Sequence, residues 1–478
     1  MSRHTKIVAT LGPASSDPEV LERMIRAGVD VVRLNFSHGK AADHVARAEA
    51  VRAIAARVGR PIGILADLQG PKIRVGKFAG GRITLEAGQS FILDARCELG
   101  DGERVGLDYK DLPRDVAAGS VLLLDDGRIT LDVVRVVGAE IHTRVRQGGE
   151  LSDNKGINRL GGGLSAPALT AKDMDDIRTA AALGADFLAV SFPKTAADMY
   201  MARQLMAAAG GRALLIAKIE RVEAVAALED ILDASDGVMV ARGDLAVEVG
   251  DAAVPALQKR MIRLAREKNK LTITATQMME SMIVSPTPTR AEVSDVANAV
   301  LDGTDAVMLS AETAAGRYPV QTVEAMARVC LEAEKSAEVT LDRDFLNRVF
   351  TRIDQSIAMA ALFTADHLQV KAVAALTQSG STALWMSRLN CGVPIYALTP
   401  EAGSLTKMAL YRAVFPLLMA QEDIDRDLLV QEAVEKLIEA GVVATGDLVV
   451  ITIGEPIGTP GGTNTLKIVR VGEHRAVH

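Results

Sequence analysis

The chain has 478 residues, of which 49% are hydrophobic and 24% charged, a composition typical of a globular protein with material for about two to four domains. Its formal net charge is −7 and it has no long run of lysine and arginine, so a nucleic-acid partner is not expected. No apolar stretch approaches the roughly 20 residues that span a bilayer, and the first residues carry no secretion signal. We therefore expect a cytoplasmic protein with no membrane partner.

Eight short runs rich in β-branched residues alternate with segments of helical periodicity. The runs are residues 6–11, 29–35, 63–67, 187–191, 213–219, 237–241, 271–276 and 306–310, and helical segments between them include 17–27, 41–58, 172–183 and 254–268. Eight βα units predict an α/β protein built on a (β/α)8 TIM barrel. The active site of such a barrel lies at the C-terminal ends of its strands.

The third unit is interrupted by a segment of different character. Residues 82–86, 91–94, 121–124 and 129–137 read as strands, and Asp125-Asp126-Gly127 is a hairpin signal. We predict a small inserted β-barrel domain over residues 72–157, joined to a barrel made of residues 1–71 and 158–339. Glycines at 70 and 161–163 are plausible joints, so the insert is expected to act as a lid that excludes water from the barrel mouth.

The last part of the chain has its own alternation of strands and helices. Residues 370–376, 395–398, 414–417 and 448–453 predict an open α/β domain over residues 340–478. After its first strand come Thr377, Ser379, Ser381 and Thr382, small hydroxyl residues that open a helix. Such a turn can form an anion nest, and residues 458–465 form a second glycine-rich loop.

Polar residues cluster at the ends of the predicted barrel strands. Lys218 and Glu220 end the fifth strand, and Asp244 follows the sixth. Two carboxylates at neighbouring strand ends suit Mg²⁺, and a lysine beside them can neutralise a phosphoryl group in transit. Arg33, Asn35 and Ser37 alternate along the second strand, so all three side chains should lie on one face and serve a site.

Five segments resemble the pyruvate kinase family over nearly the whole chain and in the family's order. They are residues 33–39, 217–220 (Ala-Lys-Ile-Glu), 241–244 (Ala-Arg-Gly-Asp), 275–282 and 308–313. The resemblance implies transfer of the phosphoryl group of phosphoenolpyruvate to ADP, which gives pyruvate and ATP. It also implies a homotetramer and the use of Mg²⁺ or Mn²⁺.

The resemblance assigns the catalytic and substrate-binding residues. Glu220 and Asp244 would hold the divalent cation, and backbone N–H groups at Gly243 and Asp244 would bind the substrate carboxylate. Lys218 would face the phosphoryl group, and Thr276 would lie beside the carbon that is protonated.

The resemblance also assigns three groups of ligands around this centre. Arg33 and Arg74 would bind the travelling phosphate. The nucleotide residues would be Pro13, Asn35, His38, Arg74 and Lys155, and the monovalent-cation residues Asn35, Ser37, Asp67 and Leu68. The hydroxyl residues at 377, 379, 381 and 382 match the family's site for a phosphorylated effector, here a sugar phosphate.

The chain departs from the family's common pattern in two places. Many relatives have Lys or Arg where this chain has Ser381, which leaves the effector's identity open. In the segment 67–74, Leu68, Gln69 and Lys72 replace Thr, Lys and Glu. Because the replaced glutamate accompanies a bound K⁺ in the family, we expect the ammonium of Lys72 to lie next to Asp67, to replace the ion, and to make the enzyme independent of K⁺.

Structural alternatives remain for most of these residues. Lys218 and Glu220 alone would form a local ion pair, and Asp244 would cap a helix. Thr276 would be a simple β-former, His38 a helix cap, Lys155 and Lys72 solvated lysines, and residues 377–382 an ordinary turn. Two other functions are a catalytically silent sensor of the same fold and a barrel lyase acting on phosphoenolpyruvate or pyruvate. The sensor should lack some of Lys218, Glu220, Asp244 and Thr276, and the lyase would need neither the lid nor the second-strand polar set.

Overall fold

A computed structural model describes residues 3–336, 349–389, 392–420, 425–456 and 461–473. Eight parallel strands close into a barrel in the spatial order one, eight, seven, six, five, four, three, two. The strands are Lys6–Thr10, Val31–Asn35, Gly63–Asp67, Phe187–Val190, Leu214–Ile219, Gly237–Ala241, Leu271–Ala275 and Ala306–Leu309, called barrel strands 1 to 8 below. All eight predicted strands are therefore confirmed, with ends that differ by at most two residues.

Helices follow each strand and cover the outside of the barrel. They are Pro18–Ala27, Ala41–Val58, Ala171–Ala182, Ala196–Ala208, Val222–Ala226, Leu228–Ala234, Arg242–Val249, Val254–Glu267, Arg290–Leu301, Ala311–Ala314 and Pro319–Ala333. Local signals set their ends: the Asp17 carboxylate accepts the N–H groups of Glu19 and Val20, while Gly28 ends the same helix at a φ of +129°. Thr170 and Thr289 begin two other helices with capping boxes.

Alternate residues of the barrel strands belong to two different apolar clusters, except in strand 7, where Thr272 and Thr274 alternate with residues of the inner cluster. In barrel strand 1, Ile7 and Ala9 face the surrounding helices, whereas Val8 belongs to a cluster inside the barrel. That inner cluster continues into the C-terminal domain through residues such as Ala361 and Leu410. The N-terminal end of the barrel is thus closed by the C-terminal domain, and the C-terminal ends of the strands remain for a polar site.

The insert is an all-β lid. Its main sheet has the order Ile157–Arg159, Val121–Leu124, Ile129–Val137, Glu140–Gln147, Ser90–Asp94, Arg104–Val105. Two ribbons pair Gly149–Ser152 with Arg82–Leu85 and Lys77–Phe78 with Leu99–Gly100, and a short helix spans Leu112–Asp115. The predicted hairpin turn is present, with φ of +51°, +55° and +85° at Asp125, Asp126 and Gly127. The lid sheet extends to Arg159, two residues past the predicted boundary at 157, and the domain limits stay predictions.

The C-terminal domain is an open α/β sheet, as predicted. Its strands lie in the order Val414–Leu418, Ile395–Thr399, Ala372–Leu376, Leu448–Gly454, Thr463–Arg470, and only the last is antiparallel. Its helices are Ile353–His367, Ser381–Ser387, Ala402–Met408 and Arg426–Glu439. The predicted loop 458–465 is wrong at its end, because Thr463 and Thr465 pair with the preceding strand. Residues 458–460 of that prediction lie outside the described part.

A buried ion pair joins the C-terminal domain to the barrel. Arg388 follows the helix Ser381–Ser387, and its guanidinium donates to both carboxylate oxygens of Asp305, just before barrel strand 8. The same carboxylate accepts the Thr272 N–H at the start of barrel strand 7. Within the described ranges, no helix is both long and apolar enough to cross a membrane.

Candidate active site

Barrel strands 2, 3 and 5 bring four predicted residues into one network of ion pairs and hydrogen bonds. The Lys218 ammonium lies 3.3 Å from Asp67 Oδ1 and 3.0 Å from Glu220 Oε1. Arg33 Nε donates to the other Asp67 oxygen at 2.6 Å, and the Arg33 guanidinium also reaches the Thr10 hydroxyl. Asn35 pairs with Asp67 across barrel strands 2 and 3. Arg33 lies two residues earlier on the same face of strand 2, so its side chain can contact Asp67.

The Lys218 side chain is only 12% exposed, so its ammonium is largely shielded from water. Burial lowers its pKa, but the carboxylates of Asp67 and Glu220 outweigh burial and hold the pKa above its ordinary value. Burial likewise raises the pKa of Asp67, yet Arg33 and Lys218 bring it below its usual range. The Lys218 ammonium and the Asp67 carboxylate are therefore charged at neutral pH.

Two carboxylates at the mouth fit a divalent cation. The pKa of Glu220 is raised to about 7. Burial is the main cause, the ammonium of Lys218 opposes it in part, and the neighbouring charge of Asp244 adds to it. Burial and a like charge together disfavour the ionised form, and a bound cation would relieve both effects. No cluster of three or more His, Cys, Asp or Glu side chains forms a metal cage in the part of the chain that is described. Water and substrate would complete the coordination, as is usual for Mg²⁺.

Ser191 and Phe192, at the end of barrel strand 4, belong to the site although the sequence analysis did not select them. Ser191 Oγ lies 2.7 Å from Lys218 Nζ and donates to the Leu68 carbonyl at 2.7 Å. The Phe192 N–H donates to Glu220 Oε2 at 2.7 Å. Phe192 has a φ of +55°, a rare conformation for a bulky residue that places this N–H towards the carboxylate.

Thr276 has an unusual backbone that fixes its hydroxyl. Its φ is +68° and that of Gln277 is +54°, and a β-branched residue in this region is strained. The Arg242 guanidinium donates to the carbonyls of Ala275 and Thr276 and pairs with Asp295, so it supports this turn. The Thr276 hydroxyl donates to the Ala275 carbonyl and accepts the N–H of Gly243.

The predicted carboxylate-binding backbone therefore has a partner in this structure. Gly243 and Asp244 open the helix Arg242–Val249, as expected, but the N–H of Gly243 donates to Thr276 Oγ1 at 2.8 Å. A substrate carboxylate would have to share or replace that bond. The bond also links the ends of barrel strands 6 and 7, which places Thr276 beside the predicted metal ligand Asp244.

Three of the four predicted monovalent-cation residues, Asn35, Asp67 and Leu68, have an oxygen that already contacts a donor. Asn35 Oδ1 accepts the N–H of Ser37, and the Leu68 carbonyl accepts the Ser191 hydroxyl. The strand ends at Asn35, so Ser37 lies in the following turn and not on the predicted strand face. Lys72 also differs from expectation, because its ammonium pairs with Asp244 Oδ1 at 3.4 Å and not with Asp67.

Pro13 and His38 lie at the mouth of the barrel. Pro13 begins a 3-10 turn after strand 1, and His38 follows strand 2; both are exposed at adjacent strand ends. The His38 carbonyl contacts the ring of His44, which stacks on Phe36. The nucleotide role of both residues stays a prediction.

Arg74 and Lys155 belong to the lid. Arg74 lines a lid cavity with Lys77 and Lys110, apart from the Arg33–Asp67–Lys218 network. Lys155 pairs with Asp125 at 2.7 Å in the lid hairpin. Neither side chain is brought to the barrel centre in this conformation, so their assigned roles require a movement of the lid.

In the C-terminal domain the four hydroxyl residues are not equivalent. Thr377 Oγ1 accepts the Gly380 N–H, and the Thr382 hydroxyl lies 2.6 Å from that of Thr463. Both threonines are buried. Ser379 donates to Ser381 at 3.2 Å, and both serines reach the surface.

Comparison with known proteins gives one consistent result. The family model described as "Pyruvate kinase, barrel domain" matches residues 2–323, and "Pyruvate kinase, alpha/beta domain" matches residues 355–469. The chain is 54% identical to pyruvate kinase II of Salmonella typhimurium over 98% of this chain and 99% of that protein. It is 54% identical to a pyruvate kinase of Haemophilus influenzae over 95% and 96% of the two chains. It is 43% identical to that of Mycobacterium tuberculosis, over 99% of each.

Proposed function

Because the chain belongs to the pyruvate kinase family and is an enzyme of that family, we propose that it transfers the phosphoryl group of phosphoenolpyruvate to ADP, giving pyruvate and ATP. The observation that carries this proposal is the Arg33–Asp67–Lys218–Glu220 network at the C-terminal ends of the barrel strands. A buried ammonium and a guanidinium converge there, as transfer of a charged phosphoryl group requires.

The residues of the site have separate tasks in this reaction. Lys218 and Arg33 hold positive charge where charge develops on the phosphoryl oxygens, and Asp67 fixes both cations by accepting from each. A bound Mg²⁺ or Mn²⁺ on Glu220 and Asp244 would supply positive charge opposite the developing oxyanion. The Thr276 hydroxyl can orient the water that delivers a proton to carbon, because a threonine hydroxyl is itself a poor acid.

Neither other function finds support in the arrangement. A silent sensor would have no need for Lys218, Glu220, Asp244 and Thr276 together, yet all four are present at the strand ends. A barrel lyase would have no need for the lid, whose Lys72 pairs with Asp244 of the barrel. The strained turn at Thr276 also favours a working catalytic centre.

A coupled assay tests the proposal directly. The purified chain with phosphoenolpyruvate, ADP and Mg²⁺ should form pyruvate and ATP in equal amounts, and GDP in place of ADP gives the nucleotide preference. Glu220→Gln should lower turnover by at least about 100-fold and weaken Mn²⁺ binding, measured by electron paramagnetic resonance. Turnover of wild type that stays at the background rate, with Mn²⁺ bound, would contradict the proposal.

We also propose that turnover does not require K⁺. Asp67 already has two cationic partners, and the oxygens of Asn35 and Leu68 already accept hydrogen bonds. Lys72 adds a third cation to the same group of charges, through its pair with Asp244. Turnover should therefore persist when tetramethylammonium replaces all K⁺ and Na⁺, and Lys72→Glu should create a dependence on K⁺. Activity near zero that K⁺ restores many-fold in the wild type would contradict this.

Activation by a sugar phosphate is the third part of the proposal. Ser379 and Ser381 reach the surface beside the Gly380 turn, whereas the buried Thr377 and Thr382 shape the turn from below. With no basic side chain at position 381, a monophosphate suits the turn better than a bisphosphate. A sugar monophosphate should shift the phosphoenolpyruvate saturation curve to lower concentration, and Ser381→Ala should reduce that shift. If no sugar phosphate shifts the phosphoenolpyruvate saturation curve, residues 377–382 form an ordinary turn and not an effector site. The homotetramer and the cytoplasmic location stay predictions.

A further inference from the structure

Ser191 is the third partner of the Lys218 ammonium and the only neutral one. Its oxygen, at 2.7 Å, is the nearest of the three acceptors, since Glu220 lies at 3.0 Å and Asp67 at 3.3 Å. An ammonium has three N–H donors, and here it contacts two carboxylates as ion pairs and donates a hydrogen bond to the Ser191 hydroxyl. These three contacts hold the end of the Lys218 side chain from within the protein.

The position of the Ser191 hydroxyl is itself fixed. The hydroxyl donates to the Leu68 carbonyl at 2.7 Å, and the residue is 1% exposed. Gly70 packs against it so closely that a Cβ at position 70 would lie 2.8 Å from Ser191 Cβ, and Gly70 has a φ of +66°. A serine that can neither rotate freely nor move is suited to hold a longer, more flexible side chain.

We propose that Ser191 is a positioning residue for phosphoryl transfer, which holds the Lys218 ammonium towards the transferred group. This inference rests on the proposed function. When a phosphoryl oxygen arrives, Lys218 has to exchange one acceptor, and the neutral hydroxyl is exchanged at lower cost than a buried carboxylate. Ser191 therefore keeps the ammonium in place before substrate binds without competing strongly for it afterwards.

Ser191→Ala tests this, with Ser235→Ala as the matched control. Ser235 is also 1% exposed and donates to a carbonyl, that of Ile231, at 2.7 Å, but it lies just before barrel strand 6, at the opposite end of the barrel. Ser191→Ala should lower kcat about 10- to 100-fold with little change in the KM for phosphoenolpyruvate, because it displaces a group needed in the transition state. Ser235→Ala should leave kcat unchanged, which would show that the loss of a buried hydroxyl does not by itself lower kcat.

Two further measurements separate positioning from a general structural role. Exchange of the pyruvate methyl protons with D₂O, followed by NMR, does not require phosphoryl transfer and should stay within about threefold of wild type, as should Mn²⁺ affinity. In a double-mutant cycle, Ser191→Ala should add nothing to the loss caused by Lys218→Met, because it acts through that lysine.

The inference is overturned if Ser191→Ala keeps kcat within about twofold, if proton exchange falls in the same proportion as kcat, or if the two mutations lower kcat additively. Failure of the proposed function is distinguishable, because it would be seen as a wild-type chain that forms no ATP in the same assay. Thermal unfolding of each variant shows whether the protein is still folded under the assay conditions, so that unfolding is not mistaken for a fall in kcat.

Discussion

Removing the Lys218 ammonium should separate phosphoryl transfer from the proton step and from folding. In Lys218→Met each former partner keeps one other hydrogen bond: Asp67 keeps Arg33 at 2.6 Å, Glu220 keeps the Phe192 N–H at 2.7 Å, and Ser191 keeps the Leu68 carbonyl at 2.7 Å. Asp67 Oδ1 and Glu220 Oε1 lose the ammonium, but Asp67 keeps the charge of Arg33, and Glu220, whose pKa is about 7, can take up a proton. We therefore expect the free energy of unfolding to fall by about 1–3 kcal/mol. This is less than the roughly 3–5 kcal/mol that is lost when a broken ion pair leaves a buried charge unpaired.

The catalytic loss should be much larger than the loss of stability. One preorganised charged donor in a site that excludes water contributes about 100- to 1000-fold to kcat, and Lys218 is such a donor. Formation of ATP in the coupled assay should fall by at least this factor. Exchange of pyruvate protons with D₂O should persist, because Glu220, Asp244 and Thr276 are unchanged.

Lys270→Met is the matched control. Lys270 is partly buried and its ammonium donates to the Ser235 carbonyl at 2.6 Å, but it lies just before barrel strand 7, away from the active site. This variant should keep kcat within about twofold. The reasoning is refuted if Lys218→Met forms ATP within about tenfold of wild type, or if it loses proton exchange as completely as phosphoryl transfer.

Three further outcomes follow from the lid, from the contact between domains and from the packing at Gly70. Replacing the lid (residues 72–157) by a short linker should lower ATP formation far more than phosphoenolpyruvate binding, measured by titration; equal losses would show that the lid builds the primary site. Arg388→Leu should cost about 3–5 kcal/mol in chemical denaturation, because it leaves the buried Asp305 carboxylate without its cation, and a change below about 1 kcal/mol would contradict this. Gly70→Ala should lower kcat by forcing Ser191 to move, and an unchanged kcat would show that the lid joint absorbs the added methyl.

The sequence predicted the barrel because two independent signals agreed. Strand-length apolar runs recurred between helical segments, and the polar residues Arg33, Asp67 and Lys218 lay near the C-terminal end of such a run, with Asp244 just after one. Parallel strands in a barrel end at the same edge, so residues far apart in the chain were expected to meet. The Arg33–Asp67 and Lys218–Asp67 pairs confirm that these three residues meet.

What the sequence did not predict depends on backbone conformation and on long-range partners. A serine at the end of a strand has no special signal, and the roles of Ser191 and Phe192 become visible only when strand 5 lies beside strand 4. A φ of +68° at a threonine contradicts local preference, so no propensity would place Thr276 there. The Lys72–Asp244 pair joins residues 172 positions apart across a lid joint, which pattern analysis along the chain does not resolve.

The residue at position 72 sets the net charge at the barrel mouth. The ion pairs join three cations, Arg33, Lys218 and Lys72, to three carboxylates, Asp67, Glu220 and Asp244, so three minus three gives a formal charge of zero. A neutral mouth attracts a multiply charged phosphate ester only weakly, so substrate and divalent cation should each strengthen the other's binding. A glutamate at position 72 would leave two cations against four carboxylates, a charge of −2, and the same substrate would then need a further cation beside it. On the proposal of K⁺-independent turnover, the ammonium of Lys72 would remove that need, and the requirement for K⁺ should then depend on this single position.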